Sequence, residues 1–182
     1  PVAIQQTLEG ADTVAEIVRA MKVFSHPGSE GKTSVDLNEA LRGTATVSRS
    51  EWKNLADIIF ELDQELPAVE CFASELNQVF LNVVVNAAHA IEEKNQGKGT
   101  ITVKTYTKND KVCVSIEDTG SGVPEEIRDS IFDPFFTTKE VGKGTGQGLS
   151  VAYNIITQRH AGKIDFKSTV GEGTTFVIEL PR

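Results

Sequence analysis

The sequence predicts an α+β fold, a two-layer α/β sandwich. Its mixed, largely antiparallel sheet is covered by helices on one face and preceded by one amphipathic helix. Three observations carry this. Two pairs of alternating stretches lie next to each other, at 100–106 with 112–117 and at 163–168 with 174–180, the signature of β-hairpins. Apolar residues at helical spacing recur between such stretches. The order helix, strand, helix, hairpin, long loop, helix, hairpin is not the strict alternation that builds a parallel sheet.

The first element spans residues 4–24. Ile4, Leu8, Ala11, Val14, Ile17, Val18, Met21 and Phe24 form its apolar stripe, and Glu9, Glu16, Arg19 and Lys22 lie opposite. A lone stripe must be buried somewhere, either on the body that follows or as half of a helical hairpin. Pro27 and two glycines then stop the helix, so residues 1–25 read as a helix and 26–34 as a linker. Residues 36–52 are helical, with Asp36 and Glu39 spaced as a capping box. A strand follows at 57–62 and a loop at 67–72, after which Ser74 is placed to cap a long helix reaching Glu93. In the first hairpin Ile101, Val103 and Thr105 share one face, as do Val112, Val114 and Ile116. Residues 119–148 are loop-rich, a helix runs from about 149 to 160, and the last two strands flank a Val-Gly-Glu-Gly turn.

Composition narrows the function classes. At 182 residues the chain is long enough for a real core. It opens on Pro1 and reads as a piece of something longer. A net charge of −8 argues against a nucleic-acid partner, but leaves room for a local anion site made of N–H groups. The two cysteines, Cys71 and Cys113, are too few and too far apart for a disulfide scaffold or a four-cysteine zinc site.

The helix 74–93 has an unusual polar face: Gln78, Asn82, Asn86, His89 and Glu93, four, four, three and four residues apart. A solvent face normally carries Lys and Glu, yet residues 76–91 contain no charged side chain at all. Asn is also a poor interior helix former. Two amides four apart therefore point to a ligand, and amide oxygens suit Mg²⁺ completed by phosphates. Asp118 stands at the end of a strand, where its carboxylate can accept from an amino group, and Gly120 and Gly122 let the backbone approach something flat. Residues 142–150 run glycine-rich backbone into a helix, either an anion cradle or a flexible lid. Phe132, Phe135 and Phe136 sit between the two glycine segments and need an apolar seat.

In this order and spacing, the segments resemble the ATP-binding catalytic domain of sensor histidine kinases, within the superfamily of histidine-kinase-like ATPases. NVVVNAAH at 82–89 resembles the N box, DTGSG at 118–122 the G1 box, IFDPFF at 131–136 the F box and GTGQGLS at 144–150 the G2 box. GEGTTF at 171–176 resembles the last glycine turn, and the likeness covers about residues 35–182. The resemblance implies ATP and Mg²⁺ as cofactors. By it, Asn86 binds Mg²⁺ with Asn82 beside it, and His89 approaches the phosphates. Asp118 accepts from the adenine amino group with Thr174 helping through water, and Gly120, Gly122 and Val123 shape the adenine pocket. Residues 124–146 form an ATP lid. Lys139, Lys143, Gly144, Thr145, Gly146, Gln147, Gly148 and Leu149 face the nucleotide, and Lys139 joins Asn82, Asn86 and His89 as the catalytic set.

Relatives in that superfamily that hydrolyse ATP or phosphorylate serine carry a Glu base where this chain has Asn82, and Asn takes no proton at neutral pH. A histidine acceptor needs less help, because neutral imidazole is already nucleophilic. The resemblance therefore implies γ-phosphoryl transfer to a histidine of a dimerisation helix, of which residues 1–25 look like the end of the second. None of the three histidines, His26, His89 and His160, stands in an acceptor context. The implied partners are that helix, from the same or a partner subunit of a homodimer, and a response-regulator receiver domain. The implied location is cytoplasmic, in a parent whose membrane attachment stays open. A nucleotide-binding module with a silent site is the alternative, against which the intact boxes speak.

Overall fold

In the computed structural model, residues 31–138 and 146–182 are described. The amphipathic helix predicted at 4–24 and most of the predicted linker lie outside them. The chain enters through β1 (Thr33–Val35), α1 (Leu37–Val47) and the short α2 (Arg49–Trp52). It continues through β2 (Ala56–Leu62), β3 (Val69–Cys71) and α3 (Ala73–Lys94). The hairpin β4 (Gly99–Lys108) and β5 (Lys111–Asp118) comes next. Then follow a 3₁₀ turn (Glu125–Ser130), α4 (Gly148–Asn154), a π turn (Ile155–Arg159), β6 (Lys163–Thr169) and β7 (Gly173–Pro181).

Five strands form one sheet in the order β2-β4-β5-β7-β6. β2 runs parallel to β4, and every other neighbouring pair is antiparallel. The parallel pair needs a crossover, which β3 and α3 supply, and that crossover lays α3 across one face of the sheet. The β4–β5 turn is two residues long, Asn109 and Asp110, with φ of 50° and 60°, the twist-matched turn that joins adjacent antiparallel strands. The mixed sandwich with helices on one face is the predicted fold class.

The core lies between α3 and the sheet. The apolar stripe of α3, from Leu76 through Phe80 and Val84 to Ile91, is buried against Ile101, Val103, Val114, Ile116 and Ile178. The same alternation that predicted the strands supplies this inner face.

Three local expectations change. The predicted helix 36–52 breaks at Ser48, whose backbone N–H and hydroxyl both turn back to Thr44 O, at 2.9 and 2.8 Å. Asp36 does cap α1, accepting from Asn38 N at 2.8 Å and Glu39 N at 3.1 Å. The predicted loop 67–72 contains β3, paired antiparallel with β1, so Thr33 and Ser34 are already strand rather than linker. Two three-residue strands are too short to show alternation. Ser74 does not cap α3; the helix starts one residue earlier and its N-cap is Phe72, with no side-chain cap bond.

Candidate active site

β5 leaves the sheet at Asp118 and the chain rejoins it only at β6. The connection between them stands over α3 and encloses a cleft of about 1060 Å³. One wall is the polar face of α3, where Asn82, Asn86, His89 and Glu93 all line the cleft. Gln78, one turn earlier, is exposed and lies off it. The floor is Asp118 with Thr174, its register partner on β7. The opposite wall holds Gly122, Val123, Gly146, Gly148 and Leu149.

Asp118 is 4% exposed. Its Oδ1 accepts from Gly120 N at 2.8 Å and from Thr174 N at 3.3 Å. Burial pushes its carboxyl up to about 6, against the lowering pull of those two amides. Because the amides occupy Oδ1, Oδ2 is the oxygen left for a donor in the cleft. Gly120 is thus behind the wall rather than on it: it holds the carboxylate, and a methyl group there would lie 2.6 Å from Ala90 Cβ. Gly122 needs its freedom twice over, with φ of +74° and a Cβ position that falls on the Thr169 carbonyl.

The floor is braced from beneath. Ser168 Oγ accepts from Val123 N at 2.7 Å and meets Thr174 Oγ1 at 2.9 Å. Arg128 Nη2 donates to Ser168 O at 2.8 Å, which ties the 3₁₀ turn to β6. Ser121 fastens the same loop to α3, its N–H to Ala90 O at 3.0 Å and its hydroxyl to Glu93 Oε2 at 3.1 Å. Phe132 seats in an aromatic group with Tyr153, Phe166 and Phe176. Phe135 is 71% exposed at φ +66°. A methyl group at Gly146 would lie 2.5 Å from the backbone of Phe135, so positions 135 and 146 abut.

Asn82 does more than line the cleft. Its Nδ2 donates to Gly148 O at 2.9 Å, tying α3 to the first residue of α4 and committing the amide nitrogen rather than Oδ1. Gln147 lies behind the wall as N-cap of α4, its carbonyl taking Ser150 Oγ at 3.0 Å and Val151 N at 2.9 Å. Lys139, Lys143, Gly144 and Thr145 lie outside the described residues. The described residues hold no group of three or more His, Cys, Asp or Glu side chains able to grip a metal. Two amides on one helix face with no carboxylate cluster are the donor set for a hard cation that arrives with its phosphates, and they fit Mg²⁺ on that basis. Sequence reasoning missed Ser168 and Arg128, which carry no motif of their own, and it gave no role to Ser121 within the DTGSG segment. It also missed the corner Val47, Ser48, Ser50 and Glu51, which closes the far side of the cleft.

A sheet of this order, with a carboxylate at the end of β5 and an amide-bearing helix across its face, defines a nucleotide-site sandwich of the ATPase type. Residues 72–182 match the family model of the histidine kinase-, DNA gyrase B- and HSP90-like ATPases. The chain is 35% identical to the sensor kinase CckA of Brucella abortus (strain 2308), over 98% of this chain and 20% of that protein. It is also 35% identical to the signal transduction histidine-protein kinase AtoS of Escherichia coli (strain K12), over 96% of this chain and 28% of that one. Among solved structures, the catalytic domain of the histidine kinase ThkA superposes with a TM-score of 0.71 at 36% identity, covering 82% of this chain and 95% of that one. The chain belongs to this ATPase family and, within it, to the catalytic domains of sensor histidine kinases. It spans 20% of the length of CckA and 28% of that of AtoS.

Proposed function

We propose that the cleft binds Mg-ATP and that the domain transfers the γ-phosphoryl group to a histidine on a dimerisation helix of the same or a partner subunit. The observation that carries this is the placement of Asp118 and the two asparagines in one cleft. Asp118 stands on the floor with one oxygen spent on backbone amides and one left over. Asn82 and Asn86 stand one turn apart on the α3 wall.

In this reading Asp118 Oδ2 accepts from the adenine amino group, and Thr174 supports it from the neighbouring strand. Gly122 and Val123 flank the base. Asn86 holds Mg²⁺ through its amide oxygen, with Asn82 beside it. The metal supplies charge neutralisation between the phosphates, and phosphoryl transfer is mostly positioning and charge stabilisation. His89 and the backbone of Gly146 and Gly148 border the phosphate end, and Lys139, Lys143, Gly144 and Thr145 belong to the same segment. Asn82 stands where a base would be needed to activate water or serine. Its amide is neutral and already donates to Gly148 O, which supports an acceptor that is nucleophilic without help.

The further partners follow from the same reading. ThkA has been solved in complex with the response regulator protein TrrA, and this chain is 31% identical to that kinase chain, with a TM-score of 0.67. That likeness supports a receiver domain as the downstream partner. A cytoplasmic site of action and residues 1–25 as the end of a dimerisation helix in a homodimeric parent belong to the same reading through the motif resemblance.

Calorimetric titration of the chain with a non-hydrolysable ATP analogue, with and without Mg²⁺, tests the site. Saturable binding that weakens without Mg²⁺ and disappears in Asp118→Ala is the expected result; no binding to the intact chain would overturn it. For the transfer step, a chain extended by the upstream helix should gain acid-labile, base-stable phosphate. Acid-stable phosphate would point to serine instead.

A further inference from the structure

α3 is held at its start and near its middle by the segment that runs from α4 through the π turn to His160. At the cleft, Asn82 Nδ2 donates to Gly148 O at 2.9 Å. Ten residues earlier, where β3 turns into α3, the backbone N–H of Phe72 donates to His160 Nε2 at 3.1 Å. Ten helical residues rise about 15 Å, so the second tie acts far from the cleft. His160 is 2% exposed. Its Nδ1 meets Ile155 O at 2.9 Å at the start of the π turn. A backbone N–H can only donate, so Nε2 is the acceptor and the ring proton sits on Nδ1. The imidazole is therefore a two-ended connector, pulling on Ile155 with one nitrogen and on Phe72, the N-cap of α3, with the other.

The surroundings make this connector stiff. Phe72 packs edge-on to His160, with centroids 5.6 Å apart, and the Arg159 guanidinium lies over the Phe72 ring, 4.7 Å from its centroid. Arg159 also grips Glu75 in the first turn of α3, Nη2 to Oε1 at 3.0 Å and Nε to Oε1 at 3.1 Å. Phe72 has no side-chain oxygen with which to cap α3, and its carbonyl already takes Glu75 N and Leu76 N. What fixes the entry angle of the helix is thus outside the helix.

We propose that His160 is a positioning residue for the metal-bearing face of α3. Through the Phe72 N–H it sets the rotation and height of the helix, and so where Asn82 and Asn86 stand relative to Gly148. The adenine end does not depend on it, because Asp118 is held by β5, Gly120 and Thr174. This inference rests on the Mg-ATP reading of the cleft.

Two variants separate the two ends of the connector. His160→Gln puts an oxygen where Nε2 was and keeps the bond to Phe72. His160→Asn puts an amide nitrogen where Nδ1 was and keeps only the bond to Ile155. Both lower the melting temperature. Each is titrated with the ATP analogue in the presence and absence of Mg²⁺, and amide exchange of Phe72 reports the bond itself. The expected result is that His160→Gln keeps the protection of Phe72 and the Mg²⁺ enhancement of the parent chain. His160→Asn loses both, its enhancement falling by about tenfold, equivalent to about 1.4 kcal/mol. Metal-free binding stays within about threefold of the parent, less than 1 kcal/mol. Equal enhancement in the two variants would overturn the proposal, and loss of metal-free binding along with it would show a merely structural role. Absence of nucleotide binding in the parent chain would instead remove the cleft reading on which the proposal stands.

Discussion

Asp118→Asn separates what the site needs from what the fold needs. The carboxyl titrates near 3.8 in the unfolded chain and near 6 in the fold, because burial disfavours its charge. A raised folded value means that the stabilising contribution is complete below pH 3.8 and is lost as pH rises through about 6. At pH 7.5 the ionised carboxylate therefore costs the folded state about 3 kcal/mol relative to a neutral group, and at pH 5 about 1.5 kcal/mol. Asn is that neutral group. Its oxygen still takes Gly120 N and Thr174 N, and its size is unchanged. Urea unfolding should therefore show the variant more stable than the parent, with the gain growing between pH 5 and pH 7.5. Its nucleotide binding should collapse, since an N–H₂ in place of Oδ2 faces the adenine amino group donor to donor. The loss of a hydrogen bond to a charged acceptor is about 1.5–3 kcal/mol, roughly tenfold to a hundredfold in affinity. The parent should also bind more weakly as pH falls below about 6, as Oδ2 takes a proton. A variant no more stable than the parent at pH 7.5, or a gain that does not change with pH, would refute the burial argument. Undiminished binding would refute the adenine assignment.

Other perturbations follow from single contacts. Phe80 is fully buried between α3 and the sheet, so Phe80→Ala should lose about 3–5 kcal/mol in chemical denaturation. Gly122→Ala combines a left-handed φ with a methyl group driven into the Thr169 carbonyl. It should cost about 2 kcal/mol or more and weaken nucleotide binding, because the cleft wall must move. Phe135 holds a left-handed φ with its ring in solvent. Asn tolerates that conformation, so Phe135→Asn should raise stability by about 0.5–1 kcal/mol in a thermal melt, a gain that would be absent if the exposed ring were supporting the fold.

How much was legible beforehand depended on how far a signal reaches along the chain. Periodicity places α3 and the four long strands β4, β5, β6 and β7, because each buries one face against a common core and must repeat its apolar residues to do so. The composition of α3 singled out Asn82 and Asn86, since amides are out of place both in a core and on a solvent face. Short elements carried no such signal: β1 and β3 exist only because they pair with each other. The cap of α3 was misplaced on Ser74 because the chain offers a good capping side chain there, whereas the fold starts the helix from Phe72.

The sequence by itself determined the fold class, the polar stripe of α3, the carboxylate at the end of β5 and the glycines that border the cleft. These are properties of residue type at fixed local spacing, and local spacing is what helices and strands convert into faces. Only the tertiary structure decided the rest. It turned Gly120 from a wall of the cleft into the holder of Asp118, and it gave Asn82 a second task on Gly148. It set Ser168 beneath the floor and His160 against the start of α3, 88 residues away in the chain. Those contacts join segments with no periodic relation to each other. They form only when the hydrophobic layer has fixed the distance between α3, α4 and the sheet, and the same closeness in a low-dielectric interior is what raises the carboxyl of Asp118.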